Sequence, residues 1–68
     1  MKTYYIHPLD KDGNHDYGSM LFCVALDEAD AVRVFKASIN TIEWAIENGR
    51  MSKPIELTYG TVIQVDSN

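Results

Sequence analysis

The stretch Asp10-Lys11-Asp12-Gly13-Asn14-His15-Asp16 carries oxygen-bearing side chains at alternate positions. Calcium loops use that spacing to turn carboxylates inward onto one hard cation. The rest of the pattern is missing. The sixth position needs Gly for a sharp turn and is His15, and the twelfth needs a bidentate Glu and is Leu21. A segment this rich in Asp, Gly and Asn is also ordinary hairpin-loop composition. It reads as a turn, and no metal or cofactor is expected.

Cys23 with His7 or His15 offers a second chemistry, a nucleophile with its base or part of a zinc set. One Cys and two His fall short of a structural zinc site without acidic help. Cys23 also lies inside the apolar run Ser19–Leu26, where a free cysteine behaves as a small hydrophobe. No Ser-His-Asp spacing, glycine-rich phosphate loop or CxxC is present. A chain of 68 residues leaves little room for a pocket that excludes water. The expectation is a protein without enzymatic activity.

Binding chemistry is better represented. The chain carries ten Asp/Glu against six Lys/Arg, a net charge of −4. Residues 10–30 hold six of the acids (Asp10, Asp12, Asp16, Asp27, Glu28, Asp30) and one base, which leaves −5 there and +1 elsewhere. Concentrated acid of this kind attracts basic surfaces and speeds association with them. It also lacks the basic footprint of a protein that grips nucleic acid directly. Tyr5, Tyr17 and Trp44 are candidate anchors, since aromatics dominate protein interfaces. Tyr4 and Tyr59 are expected in the core. On a continuous helix Trp44 points away from the apolar stripe. A kink near Asn40 would instead turn it onto the sheet edge or under residues 50–55.

The elements that must position these residues follow from periodicity. Thr3 to His7 is β-rich and stops at Pro8, which cannot donate to a ladder. Residues 8–18 are dense in turn formers around Asp12-Gly13. Ser19 to Leu26 resumes as a strand with Met20, Phe22, Val24 and Leu26 on one face and Leu21, Cys23 and Ala25 on the other. Two apolar faces argue for a central strand or a second covered face. Asp27 is the expected N-cap of a helix, with Glu28 and Asp30 in its first turn. Ala31, Val32, Phe35, Ile39, Ile42 and Ile46 form its core-facing stripe. Gly49 is a plausible C′ residue. The segment Ser38–Thr41 is weakly helical, and Asn40 with Glu43 offers a second capping signal; one helix is favoured, with a kink there left open. Ile55 to Val65 alternates as a half-buried strand with a bulge or bend at Gly60.

The expected fold is therefore α+β in a single domain over residues 1–68: a three-stranded antiparallel sheet with one helix packed on a face, ββαβ. One sheet face is left uncovered, carrying some of Tyr5, His7, Leu21, Cys23, Ala25 and Val62. The single cysteine excludes an internal disulfide. No N-terminal run is long enough for a signal-peptide core, and none approaches a bilayer span. A cytoplasmic protein with no membrane partner is expected, and homodimerisation through the uncovered face or an edge strand is one reading of it.

The opening Met1-Lys2-Thr3-Tyr4-Tyr5-Ile6-His7-Pro8, the polar loop after it, and the strand running into Asp27-Glu28-Ala29-Asp30-Ala31 together resemble small phage-encoded anti-CRISPR proteins that inhibit type I systems. The resemblance covers roughly the first 40 residues. It implies a non-enzymatic inhibitor that binds a CRISPR effector, either the surveillance complex or its nuclease, and blocks DNA access or nuclease recruitment. An acidic surface suits that role, because sites that hold DNA backbone are rich in Lys and Arg.

Overall fold

The structure is a computed structural model and describes residues 1–64. Its elements are β1 (Lys2–Ile6), β2 (Leu21–Ala25), α1 (Glu28–Ser38), α2 (Asn40–Glu47) and β3 (Ile55–Glu56). The class is α+β, with an antiparallel three-stranded sheet in the order β2-β1-β3. Two helices cover it where one was expected. No helix among the described residues is long and apolar enough to cross a membrane.

Along β1, Tyr4 and Ile6 are buried, and their register partners Cys23 and Leu21 share that face. Ala25, Ala31 and Phe35 complete the buried core. The small residues Cys23 and Ala25 let α1 approach β2 closely through Ala31. Phe22 and Val24 of β2 point the other way. Phe22 and Val24 are 53% and 58% exposed, so β2 is an edge strand with a bare outer face and not a central one. Leu21, Cys23 and Ala25, expected among the candidates for the uncovered face, belong to the covered one.

Asp27 caps α1 as expected, its carboxylate accepting the Asp30 N–H at 2.8 Å. The helix ends at Ser38, whose hydroxyl donates to the Val34 carbonyl, and Ile39 is extended at φ −139°. Ile39 is thus the boundary residue of both helices, and Asn40 begins α2 without capping it. The break carries Ile39 out of the apolar stripe into solvent, while Ile42 and Ile46 still pack on the core. α2 folds back along α1, and Lys36 meets Glu47 at 3.6 Å. Gly49, at φ +70°, closes α2 as expected: its N–H goes to Ile46, and the Arg50 N–H goes to Ala45 at 2.8 Å.

The third strand is shorter than its alternation predicts. Pairing with β1 begins before it, where Leu9 donates to the Arg50 carbonyl and Ser52 to that of His7. Pro8 faces Met51 while Tyr5 faces Ile55, so the later strand carries one more residue than β1 between these pairs. The surplus sits at Ser52-Lys53-Pro54, a bulge built around a residue with no N–H to donate. Beyond β3, Thr61 donates to the Thr58 carbonyl and Gly60 takes φ +88°, which turns the chain at the expected bend. Tyr59 stands at that turn, fully exposed and not in the core. Val65, the end of the expected strand, lies outside the described residues.

Candidate functional site

The acid-rich third is contiguous in sequence and divided in space. Asp10, Asp12 and Asp16 lie in the loop after β1, whereas Asp27, Glu28 and Asp30 follow β2 at the other end of the hairpin. Five residues of strand, about 17 Å, separate the two groups. Several carboxylates are also committed locally. Asp10 accepts the N–H groups of Asp12 and Asn14 at 2.9 Å each, closing the loop as an Asx turn. Asp16 accepts from Tyr17 N–H, Asp27 caps α1, and Asp30 binds both Leu26 N–H and Arg33. Asp12 and Glu28 are the two whose carboxylates have no hydrogen bond or ion pair among the described residues. The turn reading of residues 10–16 is the one the geometry displays.

Nor is a cysteine–histidine pair assembled. Cys23 lies on the covered face of the sheet, whereas His7 alternates with Tyr4 and Ile6 onto the outer one. Burial, reinforced by the charge of Asp30, pushes the Cys23 thiol upward and keeps it protonated. The two histidines meet each other instead, with ring centres 4.8 Å apart.

What the fold does assemble is an apolar surface. Tyr5 faces Phe22 on one side and Ile55 on the other, so three large side chains form a row across all three strands. The Tyr5 and Phe22 rings lie 6.1 Å apart, within the range of favourable aromatic contact. Val24 extends the row along β2, and Leu26 continues the exposed series past its end. Neither helix covers this side. Ile55, the first residue of the expected alternating strand, belongs here. Of the anchors expected from sequence, Tyr5 is in this row, Tyr17 is 70% exposed in the loop beside Asp16, and Trp44 is 61% exposed on α2. The open alternative for Trp44 resolves toward solvent.

The sheet also has an open edge. Leu57 donates to the Thr3 carbonyl and Ser52 to that of His7, so alternate β1 residues turn their peptide groups toward β3. Lys2, Tyr4 and Ile6 therefore bond to Ala25, Cys23 and Leu21 of β2. Phe22 and Val24 are left with N–H and C=O directed away from the sheet. From Met20 to Leu26 no charge and no proline interrupts that edge. Unprotected, apolar edges of this kind are templates for another strand. Sequence reasoning found the alternation but assigned the wrong face; the contrast of large against small side chains along 20–26 was the signal.

On the opposite side, a groove of about 380 Å³ runs between α1 and residues 51–54, floored by Ile6 and Phe35 and rimmed by Glu28 and Lys53. Its residues belong to the core layer that α1 leaves open toward β3.

No protein-family model matches the chain, no curated protein matches it, and no solved structure matches it.

Proposed function

We propose that this protein is a non-enzymatic interaction module that pairs with a second copy of itself through the β2 edge. The observation that carries the reading is the pair Phe22 and Val24. Their peptide groups face outward from an uncharged edge, and their side chains lie on a bare apolar face. Antiparallel pairing of two β2 strands would satisfy those backbone groups and join the two outer faces into one six-stranded surface. Light scattering behind a sizing column tests it. The expected species is a dimer of the 7.7 kDa chain, converted to monomer by Val24→Lys with unchanged helical circular dichroism. A monomer independent of concentration overturns the proposal.

A second reading is the effector-binding inhibitor, anti-CRISPR-like, that acts on a basic nucleic-acid-handling surface. It draws support from Asp12, whose free carboxylate projects from the same loop as the exposed ring of Tyr17. With the acids divided, the loop group is the contact this reading favours. Pull-down of a purified type I effector at low and high salt tests it. Salt-sensitive capture that Asp12→Lys with Tyr17→Ala abolishes is the expected result, and capture unaffected by both changes overturns it.

A further inference from the structure

We propose that His7 and His15 form a two-imidazole site for a first-row divalent transition ion of the Ni²⁺, Cu²⁺, Zn²⁺ group. The two are the chain's only histidines. They come from different segments, one just past β1 and one from the far side of the loop, where Leu9 bridges to His15. Their ring centres are 4.8 Å apart. Two imidazoles bound to one ion, each with nitrogen about 2.0–2.1 Å from the metal and ligand angles of 90–109°, hold ring centres about 4.5–5.3 Å apart. The observed separation falls inside that window, with the two rings tilted by 34°.

The second observation concerns the proton on His7. Its Nδ1 lies 3.2 Å from the Pro8 carbonyl. A carbonyl oxygen only accepts, so this contact suits the tautomer with its hydrogen on Nδ1, which leaves Nε2 as the nitrogen to face an ion. Metal-bound histidines are oriented in this way, with the ring nitrogen away from the ion donating to a carbonyl or carboxylate. The recess holding both rings is also lined by Met20, Tyr5 and Gln64. A thioether beside two imidazoles favours the softer end of the first row over Mg²⁺ or Ca²⁺. Water completes the coordination. Among the described residues no Cys, Asp or Glu joins the two imidazoles in a cluster of metal-binding size, and the carboxylates of Asp10 and Asp16 are committed to backbone N–H groups.

Calorimetric titration of the untagged chain with Ni²⁺, and separately Zn²⁺, at pH 7.5 in a non-coordinating buffer tests the site. The expected result is one ion per chain, with affinity falling at least about tenfold in both His15→Ala and His7→Ala, the scale on which metal sites respond to loss of a supporting group. Histidine ring proton resonances in the Zn²⁺ titration should shift together for both residues. His15→Gln, a polar replacement on the exposed loop, guards against a folding defect and should match His15→Ala. No stoichiometric binding overturns the proposal. So does binding that His15→Ala and His15→Gln leave unchanged, because the ion would then sit elsewhere on the chain.

Discussion

The Asp30 carboxylate ties the end of β2 to the start of α1: Oδ2 accepts the Leu26 N–H at 3.0 Å while Oδ1 accepts from Arg33 at 2.7 Å. The Leu26 hydrogen bond, together with the hydrogen bond and charge of Arg33, holds the Asp30 carboxyl below its ordinary range. A lowered native pKa contributes stability that is present above the unfolded value, near 3.9, and is lost as pH falls through the native one. Asp30→Asn should therefore melt below the native chain at pH 7 and converge with it as pH drops under about 4. Arg33→Gln should keep the part of the pH dependence that the Leu26 N–H supplies. Thermal melts across pH 2–7 check both, and an acid limb of equal steepness in Asp30→Asn counts against the assignment.

Asp27→Ala removes the carboxylate that accepts the Asp30 N–H at the α1 N-terminus. A loss of about 1 kcal/mol is expected in urea denaturation, and Asp27→Ser should recover most of it.

Gly49→Ala isolates a backbone effect. A methyl group there meets no atom within 4 Å, yet φ is +70°. The substitution should cost about 1 kcal/mol through backbone strain alone, and Gly49→Asn should cost less.

The loop acids should separate cleanly by mutation. Asp10→Ala leaves the Asp12 and Asn14 N–H groups without their acceptor and is expected to cost about 1 kcal/mol. Asp12→Ala removes a carboxylate with no partner and should stay within about 0.5 kcal/mol of the native chain. Equal losses at the two positions would contradict the loop geometry.

Phe35→Ala empties one of the two aromatic rings, with Tyr4, from the buried core. The expected cost is about 3–5 kcal/mol. A chain of this length holds only about 3–10 kcal/mol in total, so the variant should be largely unfolded at 37 °C by circular dichroism.

The features legible in the sequence were those set by neighbouring residues. Pro8 ending β1, the Asp10–Asp16 turn, the Asp27 cap and the Gly49 terminus each depend on contacts within about five positions. Features decided by distant pairing were not legible. Whether Phe22 or Cys23 faces the helices depends on how closely α1 can approach, which the alternation alone does not state. Ile39 is apolar and in phase, so the pattern continues the helix through it. The weak propensity of Ser38–Thr41 and the fold-back that pairs Lys36 with Glu47 prevail instead. Which face Ile55 takes is set by the surplus residue at Ser52–Pro54, because one residue exchanges the faces of a strand. The acids of residues 10–30 looked like a single patch because the strand that separates them is drawn from the same stretch.

Pro54 and the brevity of β3 bear on how far assembly can go. The β2 side of the sheet is long, uncharged and unbroken, while the β3 side offers two residues between a proline-containing bulge and a turn. A sheet with two usable borders can add copies without limit, and the product is a fibre. Among the described residues this one has a single usable border, so the proposed β2 pairing would stop at two chains and would let the sequence Leu-Phe-Cys-Val-Ala stay apolar without making the protein polymerise.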